Sequence, residues 1–152
     1  MISRDKRLRI CLILLVLNLC FIWGNSLLSA ERSQAFSDFV LELLPGQAEG
    51  AAGSAGESGT LRKIAHFTEF TALGLLLSWL SALLRKKKWL PLFGGALAAC
   101  IDETIQIFVP GRGPGLLDVG IDICGAATGM LLLQIGYLIL RRIYPTQYGG
   151  KQ

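Results

Sequence analysis

Charge is scarce in this chain, and what there is comes in clusters. Only 17% of the 152 residues are Asp, Glu, Lys or Arg, against 52% hydrophobic residues, and the mean hydropathy is +0.51. That balance excludes an ordinary soluble domain. Between the charged clusters lie runs of about 20 apolar residues, enough to cross roughly 30 Å of hydrocarbon. The four cysteines (Cys11, Cys20, Cys100, Cys124) have no C-x-x-C spacing and sit within apolar runs, where thiols behave as small apolar groups, so neither a disulfide nor a zinc site is expected. Neither Cys11 nor Cys20 follows the small residue that a lipoprotein cleavage site needs. There is a single histidine, His66, so His66-x-x-Glu69 lacks the second His of a His-Glu-x-x-His metal motif, and no metal or cofactor is expected. Gly111-Arg-Gly113 has no following Lys-Ser/Thr and is not a phosphate-binding P-loop. No Ser or Cys stands in a recognised nucleophile elbow, and no internal repeat is present. The net charge of +4 is not a nucleic-acid signal, because the basic residues gather at the ends of apolar runs, where they set membrane orientation.

What is there reads as an all-α polytopic membrane protein, a bundle of four transmembrane helices. Residues 1–7 form a basic N-terminus and 8–28 a first span, interrupted mainly by Asn18. A signal peptide ending at Ser29-Ala30 is the competing reading, but the apolar run is long for one and Leu28 stands at position −3. Residues 29–63 hold a segment, Glu31 to Leu44, with Phe36, Phe39, Val40, Leu43 and Leu44 on one side. That pattern predicts a short amphipathic helix on the membrane surface. A Gly/Ala/Ser-rich stretch from Pro45 to Thr60 follows and reads as a flexible linker. The second span covers 64–84, a basic loop 85–88, the third span 89–109, a Pro/Gly turn 110–115, the fourth span 116–140 and a tail 141–152. One side of this arrangement collects Arg4, Lys6, Arg7, Arg9, Arg85, Lys86, Lys87, Lys88, Arg141, Arg142 and Lys151, while the other has only Arg32, Arg62, Lys63 and Arg112. The positive-inside rule then places both termini in the cytoplasm.

That topology gathers scattered polar residues at one depth. Lys63, His66 and Glu69 occupy the outer turns of the second span, Asp102, Glu103 and Gln106 the last two turns of the third. Arg112 lies in the outer turn, and Asp118 and Asp122 open the fourth span. At 1.5 Å rise per residue, all sit within roughly 15 Å of the outer interface. Asp118, Asp122, Gly125 and Gly129 share a helix face, and Gly125-x-x-x-Gly129 permits close helix approach; Gly94, Ala98 and Asp102 align similarly on the third span. Small residues inside and acids outside predict helices that touch at one end and open a polar pocket at the other. Each residue also has a plainer reading: His66 as an interhelical hydrogen-bonding group, Asp118 and Asp122 as structural partners of Arg112, Lys63 or Arg62. The convergence of five carboxylates and one histidine is more than packing four helices requires, and ionisable residues in membrane-spanning segments mark functional sites by default.

The segments Leu61-Arg-Lys-Ile-Ala-His-Phe-Thr-Glu-Phe70, Asp102-Glu-Thr-Ile-Gln-Ile-Phe-Val-Pro-Gly-Arg112 and Asp118-Val-Gly-Ile-Asp122, with Gly125, resemble the VanZ family of bacterial membrane proteins over about residues 18–140. The resemblance places Lys63, His66, Glu103, Gln106, Arg112, Asp118, Asp122 and Gly125 at the family's signature positions. The family often has Asn where this chain has Asp122, and the long Gly-rich loop before Thr60 is a departure from it. The family's namesake is associated with low-level resistance to teicoplanin, which implies a bacterial cell-membrane protein with a role in glycopeptide antibiotic resistance; membership alone does not make every member a resistance protein.

Two functions from different classes follow. In the first, the outward-facing pocket binds a cell-envelope ligand: Arg112, Lys63 and His66 hold an anionic lipid or cell-wall precursor, and the acids orient those cations or bond a sugar or amine. In the second, the protein is an intramembrane enzyme acting on a lipid or precursor headgroup. There His66 or Glu69 serves as base, Asp118 and Asp122 hold a divalent metal, and Arg112 stabilises developing charge. A transporter or channel ranks below both, because no intramembrane charge lines the cytoplasmic halves of the spans.

Overall fold

The computed structural model describes residues 3–28, 35, 39, 55–113 and 115–144, with only the backbone described over 55–59. The predicted surface helix over 31–44 and the first part of the linker, 45–54, lie outside the described residues, apart from Ala35 and Phe39. Four helices make up the fold: α1 (Arg4–Ser26), α2 (Ala55–Leu83), α3 (Leu90–Ile107) and α4 (Leu116–Ile143). Each contains a stretch long and apolar enough to cross a membrane, and no strand occurs among the described residues. The all-helical, four-helix class expected from the apolar runs is what the chain adopts.

Local chemistry sets the helix ends. Ser3 caps α1, its hydroxyl accepting from the Lys6 N–H at 3.3 Å, with Asp5 in the first turn where a negative charge suits the helix dipole. α2 already runs from Ala55, so the end of the stretch read as linker is helical. Once the packed part of a helix is nucleated, each added residue gains a hydrogen bond for a small entropic cost, and weak propensity there does not stop it. The C-terminus of α2 closes with Arg85 in the left-handed region (φ 53°), the Lys86 N–H bonding the Ser81 carbonyl at 2.9 Å and the Arg85 N–H that of Ala82 at 3.2 Å. The Arg4 guanidinium adds a bond to the Leu83 carbonyl at 2.9 Å, tying the start of α1 to the end of α2. Pro91 falls in the first turn of α3, where its missing N–H costs nothing.

The bundle is held together by small residues rather than by a large apolar core. Its buried centre is Ile22, Phe70, Leu73, Ala98 and Ala99, with Leu19, Trp23, Leu77 and Ile123 packed around it. The large aliphatic and aromatic side chains instead face outward, among them Leu17, Phe21, Phe93, Leu131, Leu132 and Leu138. Helices in lipid gain little by hiding apolar groups from one another, so close backbone contact does the work. α2 and α4 meet this way. A Cβ on Gly125 would lie 2.6 Å from the Phe67 carbonyl oxygen, and one on Gly129 would collide with the backbone of Thr71 and Leu75. On α2, Gly74 stands equally close to the backbone of Ala126. On α3 it is Gly95 rather than Gly94 that meets α4 most tightly, its Cβ position 2.6 Å from that of Ala126. The inside of the bundle is then polar at one end: Ser26, His66, Glu69, Asp102, Glu103, Gln106 and Asp122 are all buried.

Candidate functional site

Asp102 is the hub of that polar end. Fully buried on α3, it accepts a 2.6 Å hydrogen bond from the Ser26 hydroxyl on α1 and a 2.8 Å bond from Gln106 Nε2 one turn along its own helix. Its Oδ2 lies 3.8 Å from His66 Nδ1 on α2, and His66 Nδ1 lies 3.7 Å from Asp122 Oδ1 on α4. All four helices thus contribute to one cluster. A pocket holding, with its mouth, about 230 Å³ of empty space opens beside it, lined by Arg62, Lys63, His66, Gln106, Asp118, Ile121 and Asp122.

The other expected residues surround this pocket without all lining it. Glu69 turns toward α1, where its Oε1 accepts from Asn25 Nδ2 at 3.0 Å. Glu103 turns toward the start of α4 and accepts from the Gly115 backbone N–H at 2.8 Å; that residue is the N-cap of α4 and carries no capping side chain of its own. Glu103 therefore supplies, from another helix, the acceptor that a Glu or Gln at N3 gives the N-cap N–H in a capping box. Lys63 is exposed at the mouth. Asp118 is half-buried in the first turn of α4. Its Oδ2 would stand 2.8 Å from a Cβ at Gly115.

Arg112 closes the turn between α3 and α4. The chain reaches it through bonds from the Val109 N–H to the Gln106 carbonyl and from the Arg112 N–H to the Val109 carbonyl, both 3.1 Å, with Gly111 at φ 77°. Its side chain folds back until Nε and Nη1 are buried, and neither has a hydrogen-bond partner. Burial, and next the neighbouring Arg62, push its guanidinium below the usual range, while Asp102, Glu103 and Glu69 pull the other way. A guanidinium remains charged throughout. The plainer reading of Asp118 and Asp122 as ion-pair partners of Arg112, Lys63 or Arg62 finds no such pair among the described residues, and both Asp122 oxygens are buried without a partner.

Sequence reasoning missed two members, Asn25 and Ser26. Both close the first apolar run at the end opposite its basic start, which is the depth of the acidic residues. That position was the available signal. Arg62 lines the pocket as well, although only Lys63 next to it was singled out.

With this geometry in place, comparison with known families is decisive. The VanZ/LLP1 family model matches residues 11–140. The chain belongs to the VanZ/LLP1 family. The match takes in the whole of α2 and α3, most of α1 and α4, and every polar residue of the cluster. Four helices of membrane-spanning length and this family together make it a multi-pass membrane protein. No curated protein and no solved structure matches the chain.

Proposed function

We propose that the pocket of this VanZ-family protein faces outward from a bacterial cell membrane and binds an anionic group of a cell-envelope ligand, a lipid phosphate or a cell-wall precursor. Arg112, which stands near His66 behind the pocket lining rather than in it, carries the reading. A buried, unpartnered guanidinium nitrogen costs about 1–3 kcal/mol, and an anionic oxygen placed there recovers it through a charge-assisted bond. Arg62 and Lys63 at the pocket mouth add positive charge for capture, and membrane lipids surround the outward-facing leucines and phenylalanines. A ligand held at that surface changes how a lipophilic glycopeptide engages the envelope, which gives the teicoplanin association a physical route.

The test is susceptibility to teicoplanin and to a lipoglycopeptide in a sensitive bacterium expressing wild type, His66→Ala, Arg112→Ala or Asp118→Asn at equal membrane abundance. Arg112→Ala is expected to weaken ligand binding by about 2–5 kcal/mol, more than roughly 30-fold, and to return susceptibility to that of the empty vector. Abundant variants that protect as well as wild type would sink the pocket's role in this phenotype. Orientation is checked separately. A C-terminal green fluorescent protein is expected to fluoresce and a C-terminal alkaline phosphatase to stay inactive, because the basic residues at the opposite end of the bundle hold both termini in the cytoplasm. The reverse pattern would turn the pocket inward.

A second reading, an intramembrane enzyme acting on a lipid or precursor headgroup, is favoured by one observation. His66 stands between two buried carboxylates at 3.8 and 3.7 Å, near enough for either to orient the imidazole as a base once substrate closes the site. Headgroup analysis of cells carrying wild type or His66→Ala decides it, since identical lipid and precursor profiles leave no room for catalysis.

A further inference from the structure

His66, Asp102 and Asp122 ring a gap. One ligand atom from each lies within 4.8 Å of the other two, and the residues come one each from α2, α3 and α4. The two measured separations from Nδ1, 3.8 and 3.7 Å, are too long for hydrogen bonds, so the imidazole nitrogen is not paired with either acid. His66 is 7% exposed and Asp122 0%, and neither His66 Nδ1 nor either Asp122 oxygen has a partner. A buried imidazole nitrogen and a buried carboxylate without partners, beside an Asp102 oxygen whose one donor is Gln106, are expensive to maintain, and in lipid more so.

Charge balance narrows what belongs there. The cluster and its rim hold five acidic side chains (Glu69, Asp102, Glu103, Asp118, Asp122) against three basic ones (Arg62, Lys63, Arg112), an excess of two acids. None of those three bases forms an ion pair with Asp102 or Asp122 among the described residues. We propose that His66 Nδ1, Asp102 Oδ2 and Asp122 Oδ1 bind a divalent first-row transition ion, zinc or manganese, at the base of the pocket. First-row ions hold nitrogen and oxygen ligands at ~2.0–2.2 Å, which sets neighbouring ligand atoms roughly 3.0–3.5 Å apart, so the two separations from His66 need close by only a few tenths of an ångström and the one between the carboxylates by at most about 1–2 Å. An imidazole in the set selects against magnesium and calcium, which prefer oxygen alone. Ser26 and Gln106, bonded to Asp102 at 2.6 and 2.8 Å, fix its carboxylate as outer partners commonly fix a metal ligand. The open side of the ion faces the pocket, where water or an anionic group completes the coordination. The sequence argument against a metal counts ligands along one helix, whereas these come from three.

The inference concerns the same pocket but not its ligand, so metal content and antibiotic protection fail independently. Purified full-length protein, free of any affinity tag, is dialysed against micromolar zinc or manganese, desalted and analysed for metal by mass spectrometry. Wild type is expected to retain about one ion per chain and to melt at a higher temperature than the chelator-treated protein. Asp122→Asn, which keeps the side chain's shape, and His66→Ala are each expected to lose affinity by more than about 100-fold, since even outer partners of metal ligands are worth 10–100-fold. Melting in chelator shows that both variants are folded. A Cys20→Ala, Cys100→Ala, Cys124→Ala variant is expected to bind as wild type does. A wild type that takes up no ion, a stoichiometry that survives both ligand variants, binding lost with the thiols, or a preference for magnesium would each overturn the site.

Discussion

Gly129→Ala is expected to destabilise the bundle by at least about 3 kcal/mol, and Gly129→Leu by little more. The reason is where the first carbon goes. A Cβ at this position runs into the Thr71 carbonyl and the Leu75 amide, which belong to the backbone of α2 and cannot rotate aside. α2 and α4 must separate, and once they have, a longer side chain adds little. Separation has a second consequence, because Gly125 and Asp122 lie one and two turns further along the same face. Gly125 rides on the Phe67 carbonyl, one residue from His66, so a displaced α4 also carries Asp122 away from His66. Gly136→Ala is the control. Nothing lies within 4 Å of a Cβ at that position, and replacing a mid-helix glycine there is expected to be neutral or to stabilise by up to ~1 kcal/mol. Thermal unfolding of the three variants in one detergent is the measurement. Equal melting of Gly129→Ala and Gly136→Ala would mean that the two helices do not meet at Gly129.

The same glycines show how far the sequence could be read. Gly125-x-x-x-Gly129 predicts a close helix contact because small residues four apart share a helix face, and that contact exists. Asp102 and Gln106, also four apart, are bonded to each other. The apolar runs predict four spans because lipid demands a stretch of that length, whatever the tertiary structure. Directions within a face were less legible. Adjacent residues on a helix point about 100° apart, so Asp102 and Glu103 part company, one to the interior and one to the N–H of Gly115. His66 and Glu69, three apart, are offset enough that one faces the pocket and the other Asn25. Which of two neighbours points inward depends on how each helix is rotated in the bundle, and the rotation is set by contacts such as Gly74 on Ala126 that pair residues far apart in sequence. Asn25 and Ser26 were missed for a related reason. Two small polar residues at the end of an apolar run are unremarkable until the partner of Ser26, 76 residues away, is known.

Asp102→Ala is expected to cost about 3–5 kcal/mol, because it removes the acceptor that joins α1 to α3 and leaves two buried donors at about 1–3 kcal/mol each. Ser26 Oγ and Gln106 Nε2 both donate to this carboxylate, and Ser26, like Asp102, is fully buried. Removing the acid strands both donors. Gln106 Nε2 lies 3.5 Å from Ser26 Oγ, so part of the loss returns through a lengthened bond between them. Asp102→Asn separates shape from chemistry. A carboxylate accepts from both sides, whereas an amide accepts on one side and donates on the other, so one of the two contacts becomes donor against donor. Gln106 resolves the clash by rotating its amide and offering oxygen, which holds the expected cost to about 1–2 kcal/mol. The double variant Ser26→Ala, Asp102→Ala then tests whether the hub is real. Removing both partners is expected to cost less than the sum of the single changes by about 1–3 kcal/mol, since the stranded hydroxyl is gone as well. Strict additivity in thermal unfolding would show that α1 is not bonded to α3 through Ser26, and the cluster would then be built by α2, α3 and α4 alone.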